Sequence, residues 1–135
     1  MNFRQTIVDF LRERIPGVVG VYLFGSQANG TARPDSDYDV AFLLPAPNES
    51  PDPYNRFLLG ADLGDLLNQP VDLIDLQQAK TDFRFQIIST AERIFCADKT
   101  TCDTFEMLAY SMYQRLELER RDIVEAVKKR GSVYG

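Results

Sequence analysis

Two short runs in the first third of the chain carry side chains suited to chemistry: Gly25-Ser26 and, ten residues further on, Asp37-Tyr38-Asp39. Each abuts an apolar run, residues 18–24 before the first and 40–44 after the second. The stretch therefore predicts a crossing between two strands with functional groups at both ends. Glycine lets the backbone come close to an anion, and a helical turn after it would aim free N–H groups and the Ser26 hydroxyl at a phosphate. The acidic end suits a metal. Side chains alternate along a strand, so Asp37 and Asp39 share a face while Tyr38 and Val40 enter the opposite layer. Carboxylates placed this way repel and raise each other's pKa unless a cation lies between them. A hard, oxygen-liganded ion such as Mg2+, which readily shares a phosphate, removes that penalty.

Gly25-Ser26, the fixed spacing and Ser36-Asp37-Tyr38-Asp39 together resemble the signature of the DNA polymerase β superfamily of nucleotidyltransferases. Within it the match is to the minimal nucleotidyltransferase (MNT) family, most closely its MntA-type antitoxins, the partners of HEPN-domain toxins. The resemblance implies an α/β (α+β) fold of polymerase β type, a small mixed sheet flanked by helices. It also implies a third carboxylate on a later strand, and residues 71–76, Val-Asp-Leu-Ile-Asp-Leu, offer two acids. Alternation puts Asp72 with Ile74 and Leu76 on one face and Asp75 with Val71 and Leu73 on the other, so only one acid can join the site. The family match selects Asp72. Asp75 is the alternative, with strand-end capping as its plainer role.

By the same resemblance Asp37, Asp39 and Asp72 would hold two Mg2+ ions, about 3.5–4 Å apart in such sites. Gly25 and Ser26 would bind β- and γ-phosphates of ATP, and Asp72 would take the proton from the acceptor hydroxyl. One departure stands out: the family often has arginine where this chain has Asn29, and Arg33 in the same loop is the candidate replacement.

At 135 residues and 44% hydrophobic, the chain predicts one domain over residues 1–135. At this length no separate substrate-gripping domain is expected. A net charge of −5 argues against an extended nucleic-acid footprint. No apolar run approaches the roughly 18 residues of a membrane span and no signal peptide is evident, so the expected location is cytoplasmic. Cys96 and Cys102 lack any histidine to complete a zinc set and are expected to be incidental thiols.

The remaining elements follow from periodicity. Phe3, Ile7, Phe10, Leu11 and Ile15 predict a helix capped by Asn2 and stopped at Pro16-Gly17. Residues 27–29 predict one helical turn closed by Gly30, and residues 31–36 a polar loop containing Pro34-Asp35. Four prolines in residues 45–53 exclude regular structure there and predict a surface loop, either a connector or a gate. Residues 54–68 predict a helix burying Phe57, Leu58, Ala61, Leu63, Leu66 and Leu67. A further helix carries Phe83, Ile87, Ile88 and Ala91, and a short edge strand follows at 93–96. The last helix spans about 103–130, with Phe105, Leu108, Met112, Leu116, Ile123 and Val127 as its buried stripe. Glu117/Arg121 and Glu125/Lys129 are predicted i,i+4 pairs, Tyr110, Tyr113, Arg115, Arg120 and Arg121 form a solvated face or a partner contact, and the basic tail frays.

The leading expectation is an antitoxin acting as a protein adenylyltransferase on a tyrosine of a HEPN ribonuclease toxin, with which it would form a hetero-oligomer. Two others stand beside it: nucleotide transfer to a small hydroxyl compound of antibiotic type, and a module that neutralises its partner by binding alone.

Overall fold

The computed structural model describes residues 2–33 and 36–134, with side chains through Arg130. Its elements run α1 (Phe3–Arg14), β1 (Gly20–Phe24), α2 (Ser26–Asn29), β2 (Tyr38–Leu43), a 3-10 turn (Pro47–Glu49), α3 (Pro53–Leu67), β3 (Val71–Asp75), α4 (Thr81–Thr90), β4 (Glu92–Cys96) and α5 (Lys99–Tyr134). The strands form one mixed sheet in the order β3-β2-β1-β4, with β1 antiparallel to both neighbours and β3 parallel to β2. A parallel pair needs a crossover, and α3 supplies it.

Helices cover both faces, which is why the central strands β1 and β2 are apolar on both sides. Ile7 and Leu11 of α1 and Leu63 of α3 pack with Val21, Leu23, Val40 and Phe42 on one face. Tyr22, Ala41 and Leu43 meet Ile87 of α4 and Cys102 and Ala109 of α5 on the other. The first helix is capped by Asn2, whose side chain accepts from the Arg4 and Gln5 amides, and it ends at Arg14 beside the Pro16-Gly17 turn. Among the described residues no helix is long and apolar enough to cross a membrane.

Several expectations require correction. The first strand starts at Gly20 rather than 18, because the Val18 amide still bonds the Ile15 carbonyl in a turn. The third strand ends at Asp75, whose carbonyl accepts from the Gln78 and Ala79 amides and so opens the next turn. A short 3-10 turn survives within the proline-rich loop, where Pro47 occupies its first position and needs no donor. Pro34 and Asp35 lie outside the described residues.

The buried face of α3 is not the predicted one. Leu59, Gly60 and Leu63 are buried, whereas Leu58 and Leu66 are exposed and Phe57 is 71% exposed. Gly60 and Gly64 are the cause: a Cβ on Gly60 would stand 3.5 Å from the Val71 carbonyl, and one on Gly64 would stand 3.6 Å from the Val71 amide. The helix closes on β3 through its glycines, and this rotates the larger side chains outward.

The last helix starts at Lys99, where Asp98 accepts from the Thr100 amide and the Thr101 hydroxyl, and its backbone continues to Tyr134, past the predicted end near residue 130. Its 36 residues span about 54 Å, whereas a five-residue strand covers only about 17 Å. The sheet therefore covers only the first part of the helix. Cys102 and Ala109 are buried, but Leu108, Met112, Ile123 and Val127 of the predicted stripe are exposed. Glu117 pairs with Arg120 at i,i+3, and Arg120 also reaches Asp82 on α4. Tyr113 stacks on Phe85, with Tyr110 edge-on to the same ring. Cys96 and Cys102 are free thiols whose sulfurs stand 2.6 Å apart.

Candidate active site

The site is assembled by register. Phe24 pairs with Asp39 across β1 and β2, and Asp39 pairs with Asp72 across β2 and β3. Residues opposite one another in a sheet share a face, so Asp39 and Asp72 project side by side at the start of β2 and β3. Asp37, two residues before Asp39, joins the same face by alternation.

Gly25 ends β1 directly against this pair. Its φ of +73° and ψ of −155° suit a residue without a Cβ, and a Cβ built there would overlap Asp39 Oδ2. The Ala28 and Asn29 amides both donate to the Gly25 carbonyl, at 3.1 and 3.3 Å, closing the single turn α2 that opens with half-buried Ser26. Gly30 in the left-handed conformation ends the turn, and Gln27 Nε2 donates to the Ser36 carbonyl, drawing the loop back toward β2.

The electrostatics are those of a site short of positive charge. Burial pushes the Asp39 carboxyl above the usual carboxylate range, and Asp72 and then Asp37 push it further. Among the described residues none of the three acids makes an ion pair. No three side chains there already close on a common point as a finished metal cage. Asp39 is half-buried while Asp37 and Asp72 are exposed beside it, so all three carboxylates would be open to a divalent ion arriving from solvent. A set of hard carboxylate oxygens around a charge-strained Asp39 fits Mg2+.

The other acid of β3 is placed elsewhere. Asp75 is 2% exposed, accepts the Gln77 amide through Oδ1 at 3.0 Å, and its charge is felt by the Arg84 guanidinium. Asn29 is occupied locally, its Oδ1 accepting from the Thr31 amide and hydroxyl. Arg33 is exposed in the same loop, and its amide donates to Ser36 Oγ.

Two features beside the acids escaped the sequence reading. Phe83 of α4 meets Phe24 edge-on at 6.3 Å, and this pair borders the face carrying Asp39. A groove of about 790 Å3 runs between α3 and β3 and takes in Asp72 and Phe57. The four-residue spacing of Gly60 and Gly64 is the sequence signal that could have revealed the groove, since it marks the helix face that closes on a strand.

A family model described as "Polymerase beta, Nucleotidyltransferase" matches residues 5–100. The chain is 33% identical over 121 residues to protein adenylyltransferase MntA of Shewanella oneidensis, covering 90% of this chain and 84% of that one. Its fold is similar to a chain of a toxin–antitoxin crystal structure with AMP-PNP (TM-score 0.82, 32% identity, covering 94% of this chain and 98% of that one). It is also similar to a chain in the complex of tri-AMPylated Shewanella oneidensis HEPN toxin with MNT antitoxin (TM-score 0.77, 30% identity, covering 93% and 95%).

Proposed function

Because this chain belongs to the polymerase β nucleotidyltransferase family, we propose that it is an antitoxin of HEPN/MNT type. It acts as a protein adenylyltransferase, moving AMP from ATP to a tyrosine hydroxyl of its cognate HEPN ribonuclease toxin. The observation that carries this reading is the level pairing of Asp39 with Asp72 beside a glycine that only just clears Asp39. In this reading residues 1–135 work as one minimal transferase domain. Its setting is the cytoplasm, where ATP is supplied and Cys96 and Cys102 remain thiols.

The residues divide the work by position. Gly25 and Ser26, at the end of β1, hold the β- and γ-phosphates through backbone N–H groups and the Ser26 hydroxyl. Asp37, Asp39 and Asp72 hold magnesium, two ions in this reading. When bound, the metal offsets phosphate charge and makes the acceptor hydroxyl more acidic. Asp72, on the outer strand, orients the acceptor hydroxyl and receives its proton. The hydroxyl oxygen forms a bond to the α-phosphorus, the bond from that phosphorus to the bridging oxygen breaks, and diphosphate leaves with the electron pair. Loss of any one acid costs roughly 10²–10³-fold or more in rate, as for other pre-organised groups facing transition-state charge.

The test is incubation with labelled ATP, Mg2+ and purified cognate toxin, followed by intact mass. A gain of AMP on the toxin that disappears with Asp37→Asn, Asp39→Asn or a chelator supports the transferase. Label that persists in both variants overturns the mechanism. Neutralisation of the toxin by those variants without any label would leave a binding module.

A further inference from the structure

The order of the parts across the sheet has a directional consequence for the acceptor. The phosphate-binding corner lies at the end of β1, Asp39 lies on β2, and Asp72 lies on β3, the outermost strand on that side. In an in-line displacement the entering oxygen and the leaving group stand on opposite sides of the phosphorus. With diphosphate held at β1, the acceptor must arrive from beyond β3.

What lies beyond β3 is the groove of about 790 Å3. Its wall includes Asp72 and Ile74, from one face of the sheet, and Val71 and Leu73, from the other, so it straddles the free edge of the strand. Gly60 and Gly64 bring α3 close to β3 at Val71 on one wall of the groove, Phe57 stands 71% exposed beside it, and Arg56 lies on its border. The Tyr38 amide bonds the Pro70 carbonyl, and the Leu76 amide bonds the Phe42 carbonyl. The backbone groups of even-numbered residues of β3 therefore face β2, and the N–H and C=O of Leu73, a residue 6% exposed on the groove wall, point away from β2.

We propose that this groove is the docking site for the acceptor, an extended polypeptide segment of the partner protein whose tyrosine reaches Asp72. The inference rests on the transferase reading above and adds where the protein substrate sits. Outward backbone groups at a sheet edge recognise another backbone, and the groove runs along β3 from Pro70 past Asp72 to Ile74, so an extended chain segment follows it. Phe57 supplies an exposed ring to cover the segment.

The test uses the full chain, Mg2+-ATP and the purified HEPN toxin. Phe57→Ala and Ala61→Arg, both at exposed positions, are expected to raise KM for the toxin about tenfold or more, with KM for ATP unchanged. A photo-crosslinking phenylalanine analogue at position 57 is expected to capture the toxin peptide that contains the modified tyrosine. Capture of a second copy of this chain, capture of a remote toxin peptide, or an unmoved KM for the toxin while AMP transfer proceeds overturns the groove alone. Absence of AMP transfer by the unaltered chain overturns the transferase reading, and the acceptor groove with it.

Discussion

Two acids three residues apart on one strand live in opposite surroundings. Asp75 is buried at the far end of β3, capped by the Gln77 amide and faced by the Arg84 guanidinium, whose Nη2 donates to the Gln77 carbonyl. Asp72 stands exposed at the near end, level with Asp39, and the field it adds there is one of repulsion. Where the fold buries this carboxylate it supplies a backbone donor to one oxygen and a guanidinium whose field reaches it, while the other oxygen has no hydrogen-bond partner among the described residues. Where it leaves carboxylates together without either, the missing charge has to come from outside. The contrast distinguishes the two acids by burial and by their hydrogen-bond partners, without reference to any relative.

The largest expected effect attacks the functional side. Asp39→Asn should reduce AMP transfer by roughly 10²–10³-fold or more while leaving the metal-free protein more stable to heat, not less. The sign follows from linkage. A carboxyl whose folded pKa lies above its unfolded value favours the folded state below the unfolded pKa, and that contribution is lost as pH rises through the folded value. The amide removes the loss. Scanning calorimetry of metal-free protein across pH 4–7 checks it, and a lower melting temperature for the variant at neutral pH would break the comparison.

Next in size is Gly25→Ala, which places a methyl group against Asp39 Oδ2 at a backbone conformation that side chains rarely adopt. Transfer should fall by roughly 10²-fold, the penalty for displacing a reacting group by about 1 Å. Stability should fall by about 1–3 kcal/mol from the enforced strain. Asp75→Ala should do the reverse of Asp39→Asn: stability falls by about 1–3 kcal/mol because the buried Gln77 amide loses its acceptor and the Arg84 guanidinium loses a nearby negative charge. Urea denaturation reads this directly, and the magnesium dependence of AMP transfer should not move.

The smallest effect sharpens the same point at the surface. Arg4 holds the Glu92 carboxyl below its ordinary range through a 2.6 Å hydrogen bond between partly exposed side chains. A depressed carboxyl contributes stability above its unfolded pKa and loses it as pH falls through the folded value. Glu92→Gln should therefore cost no more than about 1 kcal/mol at neutral pH and nothing in strong acid, the opposite pH trend to Asp39.

Much of this was legible in the residues. Period-two alternation separated Asp72 from Asp75, because a strand's two faces are set by the backbone itself. The helical turn after Gly25 followed from a glycine on either side of it. What failed was the choice of helix face. On α3, Phe57 and Leu66 were read as core because they are large and apolar, yet the surface that meets β3 is made by Gly60 and Gly64, whose value is the absence of a side chain. On α5, Ile123 and Val127 continue a convincing stripe past the point where the sheet ends, since periodicity reports a helix's own symmetry and carries no information on how far its support extends. The groove went unseen for the first of these reasons, being lined by the helix face that those glycines bring against β3.

The parallel pairing of β2 and β3 also determines which connections in the chain may vary in length. Asn68 closes α3 in the left-handed conformation, the Gln69 amide returns to the Gly64 carbonyl, and the Pro70 carbonyl receives the Tyr38 amide. This three-residue link is a gauge block. Adding or deleting one residue there would turn Asp72 into the opposite layer of the sheet and Leu73 out of the core, costing activity and stability together, whereas the proline-rich connection on the other side of α3 can lengthen without changing which acid faces Asp39.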